Sequence, residues 1–152
     1  MNALAAIRPD EWDLALFVHL LGAFTLVGAL VVAASFLFTA RRDGSVELTR
    51  VGFRTLLMVA FPSYLATRFG GEWIASKENL EDSDATWLTI GYISTDAGFV
   101  VLLAATIASG LVLRRAGRGE EPGSGAGLAS WLLIGLVAAY AVVIWTMATK
   151  PA

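Results

Sequence analysis

Three ionisable residues of chemical interest lie within long apolar runs of this sequence: His19, Arg68 and Asp96. Ionisable side chains are costly in lipid, so those inside membrane spans usually face a protein interior or water and mark functional sites. Tyr64 and Trp145 are expected at the same depth, near the outer face of the membrane. We therefore predict a polar cluster in the outer leaflet, formed by His19, Tyr64, Arg68, Asp96 and Trp145.

Two interpretations of this outer-leaflet cluster stay open. In the first, Arg68 pairs with Asp96, and His19 binds a ligand, a metal, a haem or a proton. In the second, Arg68 extends to the lipid headgroups, Asp96 caps the third helix at the water boundary, and His19 bonds to a neighbouring carbonyl.

A haem is the cofactor that these residue types could hold. The sequence has one histidine and no cysteine, so a haem b at His19 requires Met147 as the second ligand, a five-coordinate iron, or a histidine from another subunit. Met147 lies at the right depth, which makes His19 and Met147 the candidate cofactor ligands. A tight metal site needs three or four ligands and is not expected.

Motifs of enzyme chemistry are absent from the sequence. There is no phosphate loop, no His-Glu-x-x-His, no Gly-x-Ser-x-Gly and no pair of intramembrane carboxylates. The sequence therefore gives no reason to predict an enzyme. It also has no basic tail for binding nucleic acid.

The elements that must position these residues are membrane helices. Hydrophobic residues make up 57% of the 152-residue chain, which is above the roughly 45–50% of soluble domains. A span needs about 20 mostly apolar residues, and four such runs occur in a single domain, 1–152. They cover about 14–40, 51–74, 87–113 and 128–148, and they predict an all-α, antiparallel four-helix transmembrane bundle.

Details within and between these spans carry further expectations. Acidic residues precede the first run, which is therefore predicted to be a retained span and not a signal peptide. Pro62 is expected to kink the second span. The third begins at either Trp87 or Asp96, and the stretch 70–95 before it is predicted to be the one substantial extramembrane segment. Gly22, Gly28, Gly110 and Gly135 are expected to let helices approach closely.

Charge placement predicts the orientation of the bundle. Arginines concentrate in the two short loops that join the first helix to the second and the third to the fourth. They are Arg41, Arg42, Arg50, Arg54, Arg114, Arg115 and Arg118. These loops are predicted to be cytoplasmic, which places both termini on the non-cytoplasmic side of the cell (plasma or inner) membrane. The tryptophans agree, because Trp131 alone is predicted at the inner interface.

The first apolar run also carries a family resemblance. The residues His19-Leu20-Leu21-Gly22-Ala23, followed by Val27-Gly28, resemble the opening helix of bacterial membrane proteins of the copper-resistance-D-like type and of related uncharacterised four-helix integral membrane proteins. Further likeness lies in the acidic residue before the third helix, Asp96, and in Ser109-Gly110-Leu111 near the end of that helix. The aromatic and basic end of the fourth helix, from Trp145 to Lys150-Pro151, is also similar. The resemblance implies a four-helix bundle with His19 facing inward in a haem-binding or metal-related role. The chain lacks the methionine- or histidine-rich outer segment of the copper-associated members, so copper transport is not expected.

Three functions are compatible with these observations. The first is a structural or accessory subunit of a larger membrane complex, in contact with lipid and with other subunits or further copies of itself. The second is a haem-binding or quinone-proximal redox subunit that uses His19. The third is a small oligomeric channel or carrier. Four short spans without a ring of charge give this function little support.

Overall fold

The computed structural model describes residues 13–77, 86–120 and 124–149, and these residues contain helices and short connections but no strand. The prediction of an all-α protein is therefore confirmed. The helices are α1 (Asp13–Asp43), α2 (Val46–Thr55), α3 (Phe61–Lys77), α4 (Thr86–Ala116) and α5 (Gly125–Ala148). A π-helical segment, Leu56–Ala60, joins α2 to α3 without a break, and we call this continuous unit the second rod.

The π segment lies just before Pro62, where the sequence predicts a kink. Proline lacks an amide hydrogen and its ring clashes with the carbonyl four residues earlier. The turn widens there, because the N–H of Phe61 donates to the carbonyl of Leu56, five residues back. Such wide turns are frequent at functional sites, and this one divides the second rod into an N-terminal half, α2, and a C-terminal half, α3.

The predicted spans fall within observed helices, and helices also cover both ends of the segment 70–95 that was predicted to lie between the second and third spans. Residues 70–77 belong to α3, and residues 86–95 belong to α4. The helix that contains the third predicted span, α4, therefore includes the stretch from Trp87 to Thr95, whose assignment the sequence left open. The residues between the two helices, 78–85, lie outside the described part of the chain.

Three of the described helices are long and apolar enough to cross a membrane: Leu14–Asp43, Leu88–Ala116 and Gly125–Thr146. The second rod differs because the π segment divides it into helices of 10 and 17 residues, and because Arg54 and Arg68 interrupt its apolar character.

The helices pack around a core of leucine and alanine. The α1 helix packs against the second rod on one side and against α5 on the other, and α4 packs against α5 and α2. The largest apolar side chains that are fully buried at the centre are Leu30, Leu37, Leu56, Leu102 and Leu133. Buried hydroxyls bond to carbonyls of their own helices, as with Thr49 to Ser45 and Ser130 to Gly127, which satisfies them away from water.

The exterior of the bundle is apolar. Phe24, Met58 and Val100 are 72%, 74% and 64% exposed. So many large apolar side chains are exposed that the surface is unlike that of a soluble monomer, and extensive exposed apolar surface marks a membrane or protein contact. The helices are therefore compatible with direct contact with a lipid bilayer.

Candidate functional site

The seam between α1 and α3 is built on glycine. A methyl group added at Gly70 would lie 2.8 Å from the backbone nitrogen of His19, and one added at Gly22 would lie 2.7 Å from the backbone nitrogen of Thr67. These separations are too short for a side chain, so both glycines are required for the backbones to approach this closely. Residue numbers rise along α1 as they fall along α3, so the two helices are antiparallel here.

His19 lies in this seam, and one of its ring nitrogens is hydrogen-bonded to a backbone group. Its Nδ1 lies 2.8 Å from the carbonyl oxygen of Thr67. A carbonyl only accepts, so Nδ1 carries the proton and the neutral imidazole keeps an acceptor lone pair on Nε2. The second interpretation of His19, a bond to a neighbouring carbonyl, is thus the contact that the structure contains. The same bond fixes the tautomer that ligand binding through Nε2 requires.

A separate ionic group lies between α3 and α4 and is centred on Arg68. Its Nη1 is 2.9 Å from Oε1 of Glu72, and its Nε is 3.6 Å from Oδ1 of Asp96. The guanidinium carbon lies 5.1 Å from the centre of the Tyr92 ring, within range of a cation–π contact. The Arg68 side chain is 25% exposed, so the charge is largely withdrawn from the surface and neutralised by its neighbours.

Aromatic rings lie below this ionic group, towards the middle of the bundle. The rings of Tyr64 and Phe99 are 5.1 Å apart, and those of Phe61 and Phe99 are 6.0 Å apart and nearly perpendicular. Tyr140 of α5 completes the group, with its hydroxyl against Gly98 of α4. The side chains of Phe61, Phe99 and Tyr140 pack on the same buried cluster that contains Tyr64.

The structure divides the predicted outer-leaflet cluster into separate places. Tyr64, Arg68 and Asp96 come together between α3 and α4. His19 lies on the α1 side of α3 and makes its contacts with that seam. Trp145 is 69% exposed and has no ring or polar contact with the other members among the described residues. The side chain of Met147 lies outside the described residues, so its pairing with His19 stays a prediction.

Sequence reasoning missed several members of the α3–α4 group. Glu72 is four residues after Arg68, and Tyr92 is four residues before Asp96, so helical spacing alone places both on the faces already selected. Phe99 and Tyr140 gave no such signal, because aromatic residues are common in membrane helices. No group of three histidine, cysteine or carboxylate side chains suited to a metal ion occurs in the described ranges.

No protein-family model, curated protein or solved structure matches this chain. The fold and the site define a class of protein: an all-helical chain with three helices capable of spanning a membrane, a histidine seam and a separate ionic and aromatic group.

Proposed function

We propose that this chain is a four-span protein of the cell membrane in which the second rod is the additional span. Support comes from its packing along α1. Leu37 contacts Gly52 near one end, and His19 contacts Gly70 near the other. Between His19 and Leu37, α1 rises about 27 Å at 1.5 Å per residue, which approaches the roughly 30 Å hydrocarbon core. A rod antiparallel to α1 over that length crosses the bilayer with it.

The orientation of this bundle places the arginine-rich loops in the cytoplasm and both termini outside. Alkaline phosphatase fused to the C-terminus tests this, because the enzyme is active only when exported. Activity of the C-terminal fusion, together with inactivity of a fusion after Arg118, is the expected result. The opposite pattern would reverse the topology, and activity at both sites would mean that α5, the helix between them, does not cross the membrane.

Within the membrane, we propose a role as a structural or accessory subunit of a larger assembly. The observation that carries this proposal is the exposure of two glycines within the spans. A methyl group added at Gly28 or at Gly135 would meet nothing within 4 Å. Glycine in a helix costs about 1 kcal/mol relative to alanine, so its use at an open position calls for a neighbour outside the chain.

Other glycines in the spans contrast with these two, because their positions are explained by packing inside the bundle. A methyl group at five of them would lie 3.1 Å or less from atoms of another helix. They are Gly22, Gly52, Gly70, Gly98 and Gly110. Small residues let membrane helices approach one another, and Gly28 and Gly135 offer that approach to a helix of a partner.

The two open glycines lie on neighbouring helices. Phe38 of α1 and Trp131 of α5 meet edge to face with ring centres 6.5 Å apart, and both are exposed, at 36% and 58%. We call the exposed sides of α1 and α5, which meet at this ring contact and which carry Gly28 and Gly135, the outer α1–α5 face. It offers small residues and aromatic ones, a combination that suits helix packing and anchoring.

The test compares large substitutions on this face with a matched one elsewhere. Gly28→Leu and Gly135→Leu add bulk where a partner helix would pack, whereas Val100→Leu adds bulk to an exposed position on α4. In mild detergent, the wild-type protein and V100L are expected above the 16.1 kDa monomer mass by native mass spectrometry. G28L and G135L are expected as monomers whose thermal stability is kept or slightly raised. A monomeric wild-type protein extracted from its native membrane would overturn the accessory role.

A second candidate function, haem binding, is favoured by the tautomer of His19. Its Nδ1 bond to Thr67 leaves Nε2 as the nitrogen that could ligate iron, as the copper-resistance-D-like resemblance also implies. An absorption spectrum of protein purified from haem-replete cells, with and without dithionite, tests this. A Soret band that is lost in His19→Ala supports the candidate. A flat visible spectrum of the wild-type protein excludes it.

A further inference from the structure

The helix α2 has one face packed against the bundle and one face turned outwards. Gly52 contacts Leu37 of α1, and Phe53 contacts Gly110 of α4. Thr49, three residues before Gly52, is also buried, as expected for residues that share a face of a helix. The charged residues of α2 lie on the opposite face, because successive residues are about 100° apart.

The outward face of α2 carries Glu47, Arg50 and Arg54, all of which are exposed. Arg50 forms an ion pair with Glu47, three residues earlier. Helical spacing gives Arg54 no carboxylate neighbour on its own rod, because the positions three and four residues away hold other residue types. These positions are Arg50, Val51, Leu57 and Met58. The outward face of α2 is therefore basic, with two guanidinium groups and one carboxylate.

Arg54 begins deeper in the membrane than the arginines that end α1. Gly52 is level with Leu37, and the second rod is antiparallel to α1, so Arg54 is level with about residue 35 of α1. At 1.5 Å per residue, its Cα is about 9 Å closer to the middle of the bilayer than that of Arg41. A charge exposed to lipid at this depth is costly unless its side chain extends to the headgroups or pairs with an anion.

The direction of α2 favours contact with the headgroups. Side chains of a helix lean towards its N-terminus, and α2 begins at Val46, three residues after α1 ends at Asp43. The N-terminus of α2 is therefore at the arginine-rich end of α1, and the side chain of Arg54 leads from the apolar region towards that end. Arg50 lies one turn nearer to it on the same face, so both guanidinium groups reach the headgroup layer on one side of the bundle.

Apolar side chains continue this face from Arg54 towards the middle of the bilayer. Met58 is four residues after Arg54 and Leu65 is seven residues after Met58, and both spacings keep residues on one side of a helix. Met58 and Leu65 are 74% and 47% exposed. We call the surface of Arg50, Arg54, Met58 and Leu65 the outward rod face. It has arginines beside the headgroups and apolar side chains below them, which is the order of phosphate and acyl chains in a phospholipid.

We propose that the outward rod face binds one anionic phospholipid, with Arg50 and Arg54 at its phosphate and an acyl chain along Met58 and Leu65. The proposal rests on the second rod crossing the bilayer, as in the proposed function. It does not rest on the partner helix proposed for the outer α1–α5 face.

Charge complementarity selects the anionic class of lipid. At this end of the bundle, the stretches 41–54 and 114–121 hold seven arginines and four carboxylates, so three positive charges stay in excess however the ion pairs are formed. The headgroup of phosphatidylglycerol offers its phosphate without an opposing charge. The ammonium group of phosphatidylethanolamine cancels the phosphate charge and is repelled by the excess of arginine. Basic residues beside a membrane are attracted to anionic lipids for the same reason.

Photo-cross-linking in lipid nanodiscs tests the proposal. The full chain is placed in phosphatidylcholine nanodiscs that contain a trace of diazirine-labelled lipid, either phosphatidylglycerol or phosphatidylethanolamine with identical acyl chains. Cross-links to residues 57–65 are mapped by mass spectrometry. We expect phosphatidylglycerol to label this stretch at least about fivefold more than phosphatidylethanolamine, because one basic residue beside anionic lipid contributes about 1 kcal/mol.

The variants show which arginine is responsible. Arg54→Gln is expected to lower the labelling ratio about fivefold, and Arg54→Lys, which keeps the charge, is expected to preserve most of it. Arg118→Gln is the matched control. It removes one arginine from the same end of the bundle but from the connection after α4, where Arg118 is paired with Glu120, so the ratio is expected to stay unchanged.

Three results would each overturn the proposal. Equal labelling by the two lipids would mean contact with bulk lipid, and labelling by neither would mean that a protein covers the face. Equal loss in R54Q and R118Q would mean a general attraction to the basic end of the bundle. The wild-type ratio decides if Arg54→Gln does not fold. The phosphatase fusions test the spans separately, so failure of this lipid site is distinguishable from failure of the proposed topology.

Discussion

Replacing Gly70 by alanine is the most direct test of the α1–α3 seam. The added methyl would lie 2.8 Å from the backbone nitrogen of His19 and 2.9 Å from its Cα, whereas carbon atoms in good contact are about 3.5–4.0 Å apart. Both contacts are with backbone, which cannot move aside as a side chain can. The helices must therefore separate by a substantial fraction of an ångström.

The magnitude follows from two destabilising effects and one stabilising effect. Overpacking of this kind costs about 1–3 kcal/mol. Separation of the helices also stretches the 2.8 Å bond between His19 and Thr67, which contributes about 0.5–1.5 kcal/mol. Alanine recovers about 1 kcal/mol through its better helix propensity. We expect Gly70→Ala to lower the free energy of unfolding by roughly 0.5–3.5 kcal/mol.

Reversible unfolding in mixed detergent and dodecyl sulfate micelles, followed by circular dichroism, provides the assay. Gly135→Ala is the matched control, because its methyl meets nothing within 4 Å. This control should keep or raise the stability of the isolated chain by up to about 1 kcal/mol. If Gly70→Ala and Gly135→Ala are equally stable, the close approach of α1 and α3 is refuted.

Two further predictions concern the second rod. Arg68→Gln leaves Glu72 and Asp96 without their shared cation and should cost about 1 kcal/mol or more, whereas Asp96→Asn should cost less than about 1 kcal/mol, because the Asp96 side chain is 65% exposed. The same unfolding assay separates them, and equal losses would show that Arg68 does not organise the group. Gly52→Ala should cost about 1–3 kcal/mol and no more than Gly70→Ala, because its nearest contact is Cγ of the buried Leu37 side chain at 2.8 Å, which can shift by disturbing the core, whereas Gly70 faces backbone. A larger loss at Gly52 than at Gly70 would contradict the distinction between side-chain and backbone contacts.

The helices themselves could be predicted from the sequence, because the length of an apolar run is a direct consequence of bilayer thickness. The face of each helix that meets another helix could not be predicted from the sequence. The helices α1, α4 and α5 are apolar on all sides, so their pattern has no preferred face. Gly22 and Gly28 show the limit: both were expected at close approaches, but Gly22 lies against Thr67 and Gly28 meets nothing within 4 Å.

The sequence could predict how deep in the membrane each site residue lies, but not towards which neighbouring helix it points. Depth brought Tyr64, Arg68 and Asp96 to one level, and the structure places these three together. Depth also grouped His19 with them. Adjacent residues on a helix lie about 100° apart, however, so Thr67 turns towards α1 while Arg68 turns towards α4. Separating the two sites requires the arrangement of the helices around α3.

The π segment before Pro62 changes which residues of the second rod share a face on either side of it. A wide turn holds an extra residue, and one residue corresponds to about 100° of rotation about the helix axis. The C-terminal half, α3, is therefore rotated relative to the face that a regular α-helix beginning at Val46 would present. Deleting a single residue within Leu56–Ala60 would convert the wide turn to a regular one without changing the composition of either half. The site between α3 and α4 thus depends on how many residues precede it as much as on which residues form it.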